Sequence, residues 1–309
     1  MKTLRRGTKE HESLSEEFTA RERYTLDMAS LRAPRRPVVA LLAGVLLVGS
    51  AGFAFAQLGR SRGVSFEGGA GGWAPREFPD GDFVICRLMY DEVRRFGVGW
   101  RTDYPLGERN LSTRFRELTR TRVSQAPDGS VNHYVVRLSD DQLFQCPFLM
   151  AGDIGSIGLR DTDAKRLREY LLKGGFLWVD DMWGPDHWDA WTSEVSKVFP
   201  PSQYPIVDVP VTDPIFHSQF ALNEMPQIPN IGHWRSTNGT STSELGPESA
   251  VPVFRAIRDE HGRIMIAITH NTDIADAFER EADDPRFFLQ FSPRGYALGV
   301  NVILHAMTH

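Results

Sequence analysis

The sequence predicts an α/β domain of three layers, a mostly parallel sheet flanked by helices, preceded by an N-terminal apolar helix. Three observations carry this. Short uncharged apolar runs alternate with segments of helical periodicity; the stretch GLRDTDAKRLREYLLKGGFLWVDD sets such a helix directly before a strand apolar on both faces; and Val38 to Ala56 holds no charged residue. A strand buried on both faces needs helices on either side, the arrangement of a parallel sheet.

Residues 1–36 form a charged extension with nine Lys/Arg against six Asp/Glu. The apolar segment 37–56 is expected to be a signal peptide or a transmembrane anchor. Arg35 and Arg36 precede it, Gly49, Ser50 and Gly52 loosen its second half, and it closes on Ala54-Phe55-Ala56, the small-x-small ending that a signal peptidase accepts. Cleavage after Ala56 is the preferred reading. Uncleaved, about 19 residues at ~1.5 Å each would reach the thickness of a bilayer core. Met28 would give a compact basic start, MASLRAPRRP. Either route places the main domain in the periplasm or on the outer face of the cytoplasmic membrane, with the membrane itself a partner through residues 38–56 if the segment stays. Pro37 directly after the arginine pair weakens a twin-arginine export reading.

Residues 57–78 hold Gly68, Gly69, Gly71 and Gly72 and are expected to be a flexible linker. A single α/β domain then spans 79–309. Its first strand is expected at Phe83 to Tyr90. A helix follows near Asn110 to Arg120, capped by Asn110, with Leu111, Phe115 and Leu118 on one face. A second strand is Leu143 to Ala151. The unit quoted above gives a helix with Ala164, Leu167, Tyr170 and Leu171 on one face, stopped by Gly174-Gly175, and the strand Phe176 to Val179. A helix near Asp186 to Phe199, the strand IMIAITHN and a helix around Gly295 to Met307 complete the series.

Residues 57–309 carry 26 Lys/Arg against 34 Asp/Glu. This acidic balance, without a recognised nucleic-acid motif, disfavours nucleic acid as a partner, since duplex binding rests on a basic face that pairs with phosphates. The expected partner is an envelope protein or a small ligand.

The stretches RLMYDEVRRFGVGWRTDYP, LFQCPFLMAGDIG, LREYLLKGGFLWVDDMWG, DPIFH, THNTDIADAFE and GVNVILHAMT together resemble an exported bacterial domain family of unknown function. It is grouped by fold with class I glutamine-amidotransferase-like proteins. The resemblance covers about residues 82–309 and implies a flavodoxin-like sheet and an envelope location, with no catalytic residue. The amidotransferases need a Cys on a strand-to-helix elbow. Here Cys86 lies inside an apolar run and Cys146 precedes Pro147, so the elbow is missing. Each reads as a buried thiol. An oxidising compartment would permit a disulfide between them, but adjacent strands rarely offer its geometry.

Ligands of open parallel sheets bind beyond the carboxyl ends of the strands. Asp180 and Asp181 end one strand, and Asn271 and Asp273 follow another; each also suits a helix-capping or turn role. Trp100, Asp103 and Tyr104 lie in the loop after the first strand, as ligand contacts or as a plug on the core edge. Asp213 fits a turn, and His217 is a possible ligand group. Trp183, Trp188 and Trp191 form an aromatic platform or pack a helix face. Asp180, Asp181, Asp186, His187, His217, His270 and Asp273 show no recognised ligand spacing, so neither metal nor cofactor is expected. The leading reading is a non-catalytic binding or scaffold module whose crevice holds Asp103, Asp180, Asp181 and Asp273. The alternative is a hydrolase, metal-assisted or carbohydrate-directed, using Asp180 or Asp181 with His217 or His270.

Overall fold

The helix-before-strand unit sets its strand in the interior of the sheet, because that strand is too apolar to face water on either side. The computed structural model describes residues 71–309, which belong to one unit. The expected signal or anchor segment, the start at Met28 and residues 57–70 of the linker lie outside the described residues. The strands are β1 (Gly71–Trp73), β2 (Ile85–Met89), β3 (Asp91–Glu92), β4 (His133–Arg137), β5 (Phe148–Ala151), β6 (Ile157–Gly158), β7 (Leu177–Val179), β8 (Ile206–Asp208), β9 (Val253–Arg258) and β10 (Ile264–His270). The helices are α1 (Leu106–Thr119), α2 (Asp161–Leu172), α3 (Gly184–Val195), α4 (Ile231–Ser236), α5 (Asp276–Glu279) and α6 (Pro285–Thr308).

Eight strands pair in the order β1-β4-β2-β5-β7-β10-β9-β8, and β3 and β6 form a separate ribbon. Pairing is parallel from β1 through β10 and antiparallel for β9 and β8. The fold is therefore α/β with a mostly parallel sheet. Its five central strands, β4-β2-β5-β7-β10, run 2-1-3-4-5 in chain order, the flavodoxin-like sequence. Ile85, Phe148, Met150 and Trp178 face one layer and join Leu111 and Phe115 of α1 and Leu298, Val302 and Ile303 of α6 in the main core. Alternate residues Leu149, Ala151, Leu177 and Val179 are equally buried, so both faces of the sheet are covered.

Several boundaries differ from expectation. The supposed linker contributes the edge strand β1 from Gly71, parallel to β4. Asn110 lies inside α1, which starts after Pro105, and its Nδ2 donates to Phe278 O at 2.8 Å instead of capping. Helix α6 begins ten residues before Gly295, where Asp284 Oδ1 accepts from Arg286 N and Pro285 stands in the first turn. It runs through Pro293, whose missing N–H would have bonded the carbonyl of Leu289, a residue 74 % exposed; solvent can hydrate a carbonyl freed there.

Cys86 and Cys146 form a disulfide, which corrects the thiol reading. The expected strand Leu143 to Ala151 starts only at Phe148, and Asp141–Gln145 is a 3-10 turn. Cys146 thus stands off the ladder, its Cα 6.0 Å from that of Cys86 on β2, free of the register that makes adjacent-strand disulfides awkward. Among the described residues no helix is long and apolar enough to cross a membrane.

Candidate functional site

Three neighbouring parallel strands each deliver an aspartate beyond their carboxyl ends. Asp153 follows β5, Asp181 follows β7 and Asp273 follows β10. The loop after β3 adds Asp103. All four line an open cleft of about 400 Å³, together with Glu244, Glu279, Arg101, Arg280 and His187 and the apolar Phe96, Val98, Trp183 and Leu245. Six carboxylates therefore face two arginines. Asp103, Asp153 and Asp181 have φ of 62°, 49° and 55°, a left-handed conformation that Asp tolerates better than most residues and that gathers at functional sites.

The cleft's rim is held by close backbone approach. Gly99, at φ 76°, donates its N–H to Asp153 Oδ2 at 2.6 Å, and a Cβ there would run into the Glu92 carboxylate. Gly99→Ala is expected to lower stability by about 1–3 kcal/mol through backbone strain and that clash, checked by thermal unfolding. Beneath the floor, Arg87 of β2 pairs with Glu108 of α1, both fully buried. Gly152 leaves room for this guanidinium, since a Cβ would lie 2.9 Å from Arg87 Nη1.

Asp103, Asp181 and Asp273 each offer an oxygen within 4.8 Å of the others. Asp181 Oδ1 accepts from Trp183 Nε1 at 3.0 Å, and Asp273 Oδ1 from the Asp276 N–H at 3.0 Å. Asp103 is 6 % exposed, and its Oδ2 is buried without a hydrogen-bond partner. Burial first, then repulsion among neighbouring carboxylates, raises all three carboxyls well above their usual range. Burial likewise pushes Asp153 to about 6 and Asp276 to about 7. The cleft is thus a concentration of buried negative charge with little counter-charge, a costly arrangement unless a cation, protons or a ligand offsets it.

The other singled-out residues are placed elsewhere. Asp180 is fully buried, accepts from Ala275 N at 2.8 Å and from the Thr269 hydroxyl, and so locks the entry to α5 instead of facing the crevice; burial brings it to about 6. Asn271, at φ 61°, clamps the start of α3: its Oδ1 accepts from Gly184 N and its Nδ2 donates to Val251 O, both at 2.9 Å. His217 is exposed with Nε2 2.8 Å from Val211 O, outside the cleft lining. His270 is tied by Arg255 Nη1 at 2.7 Å and Gly184 O at 3.1 Å and stacks on Trp188. Trp100 is 4 % exposed and plugs the core edge, and the Tyr104 hydroxyl lies 3.0 Å from His133 Nδ1. Trp191 is fully buried and Trp183 joins the cleft, so the three tryptophans form no common platform. Asp213 Oδ1 caps the turn Pro214–His217 through Ile215 N.

The model of a domain of unknown function, DUF4159, matches residues 84–307. The chain belongs to the DUF4159 family. No curated protein matches it. The DUF4159 domain spans β2 to α6 and so contains every cleft residue. Sequence reasoning missed Asp153, Glu244, Glu279 and Arg280. Asp153 was findable: it follows the apolar run FLMA-G as Asp181 follows FLWV-D. Glu244 gave no signal, because it reaches the cleft from a long loop, anchored by Asn230 N to its Oε1 at 2.6 Å.

Proposed function

We propose that this DUF4159 domain is a ligand-binding module of the cell envelope, working outside the cytoplasm and seating its ligand in the acidic cleft at the carboxyl end of the sheet. The convergence of Asp103, Asp181 and Asp273, buried or half-buried and short of counter-charge, carries the reading. A fold holds such a cluster at a loss unless a cation, protons or a ligand offsets it, and a ligand or cation does so without giving up the charge. The extracytoplasmic location is supported by the buried Cys86–Cys146 disulfide, a bond that persists in oxidising compartments, and by the basic residues and apolar run ahead of the domain.

The hydrolase alternative keeps one favourable observation: His187 lines the same cleft as Asp181. The histidines expected to assist, His217 and His270, are engaged with backbone carbonyls instead. Native mass spectrometry of the full chain, extracted in mild detergent from its own membranes, tests the reading. An organic or peptide mass is expected on the wild type and absent from the Asp181→Asn Asp273→Asn variant. A wild type that carries nothing, yet turns over model esters or glycosides in an Asp181-dependent way, would favour the enzyme.

A further inference from the structure

We infer that Asp103, Asp181 and Asp273 together hold one hard divalent cation, calcium or magnesium, at the floor of the cleft. The inference rests on the reading of that cleft as a ligand site and names what sits at its base. Three carboxylate oxygens from three separate segments lie within 4.8 Å of one another, a spacing that a single ion with metal–oxygen distances of 2.0–2.6 Å can span. The donor set is all oxygen, which selects calcium, magnesium or manganese over the softer metals that favour nitrogen and sulfur.

An independent feature points the same way. Asp103 Oδ2 is buried, has no hydrogen-bond donor and belongs to a residue lining the cleft. A buried carboxylate oxygen left unpaired costs a few kcal/mol, and native folds rarely leave one without a partner outside the protein. Asp181 and Asp273, by contrast, each have one oxygen fixed by an N–H donor. That is how outer-shell contacts orient metal-binding carboxylates.

Charge decides between a metal ion and an amine. Three carboxylates around one ammonium leave two negative charges in a poorly solvated space, where Arg87, already paired with Glu108, acts on Asp103 only through space; a divalent ion leaves one. The second carboxylate grouping, Asp103 with Asp276 and Glu279, is already served by Arg280, whose Nε lies 3.4 Å from Asp276 Oδ1 and 2.8 Å from Glu279 Oε2. Three protein oxygens fall short of a full shell, so the remaining positions belong to water or to oxygen atoms of whatever enters from the cleft. No ligand spacing in the sequence announces the site, because its residues lie 78 and 92 positions apart along the chain and only the sheet brings them together.

The test uses the full chain in detergent, stripped with a chelator at neutral pH and titrated separately with calcium, magnesium and terbium. Tryptophan excitation should sensitise terbium emission through Trp183, which touches Asp181, and calcium or magnesium should displace it. The displacing ion should bind one per chain and raise the unfolding temperature. Asp181→Asn and Asp273→Asn should each weaken binding at least about tenfold; both are isosteric, and both remove repulsion from the metal-free fold. Terbium on the wild type keeps the test decisive if either variant fails to fold. Absence of sensitised emission and of any thermal shift up to about 10 mM calcium or magnesium overturns the inference, as does equal binding by the variants or stabilisation by ethylamine alone. A co-purifying organic ligand without any cation response overturns the metal and leaves the ligand-binding reading standing. A cation response on a chain that carries no ligand does the reverse.

Discussion

Opening the Cys86–Cys146 disulfide is expected to lower the stability of the domain by about 4 kcal/mol. The bond closes a loop of 60 residues, and the chain-entropy relation gives roughly that value for such a length. Both sulfurs sit in the core, Cys86 fully buried and Cys146 at 3 % exposure, so the paired Cys86→Ser Cys146→Ser change adds two hydroxyls with no planned partners. At ~2–4 °C per kcal/mol for a domain of this size, the unfolding temperature should fall by roughly 8–16 °C. The drop should appear in the serine pair and in reduced wild type alike. A domain indifferent to reductant would show that β2 and the Cys146 segment are held by packing alone.

The second large effect is a stability that rises on acidification in the presence of chelator. Asp153 and Asp180 titrate near 6 and Asp276 near 7 in the fold, against 3.8 when exposed. The folded state therefore binds more protons than the unfolded state between those limits, and the contribution is fully present below pH 3.8 and lost as pH rises through 6 to 7. For the fully buried Asp180 and Asp276 this is on the order of 3 and 4 kcal/mol respectively. Four histidines oppose it: burial lowers His270 and His305 to about 4 and lowers His133 and His187 as well, so they withdraw stability as pH falls from 6.5. The carboxyls outnumber them, since Asp103, Asp181 and Asp273 shift the same way. The unfolding temperature should be higher at pH 5 than at pH 8 by roughly 5–10 °C, and the Asp181→Asn Asp273→Asn variant should flatten the profile. A metal-free wild type that is most stable at pH 8 would contradict the picture of uncompensated buried carboxyls.

The sequence made Asp103, Asp181 and Asp273 visible through one rule, that residues just past strand ends or in the loop after the first strand face the crevice. The same rule also selected Asp180 and Asn271, and here it was too coarse. Asp180 and Asp181 are neighbours in sequence, yet one turns inward to Thr269 and Ala275 while the other, at φ 55°, turns into the cleft. A left-handed backbone angle sends adjacent side chains in different directions, and nothing in the pair of letters announces it. His217 failed for another reason. Its segment DPIFH forms a capped 3-10 turn whose histidine does not line the cleft, and a histidine three residues after a proline carries no signal of its destination.

Local pattern alone determined the α/β class, the helix α2 with strand β7 behind it, and the acidic residues at strand ends, because periodicity and strand apolarity are properties of short stretches. Tertiary structure decided the rest. The order β4-β2-β5-β7-β10 set β5, β7 and β10 side by side, and so made a single acidic cleft of Asp153, Asp181 and Asp273. The strand β5 also begins only two residues after Cys146, which leaves Cys146 off the ladder and gives Cys86 a partner. Both outcomes depend on which strand lies next to which, a choice made by packing across the whole sheet and written in no single segment.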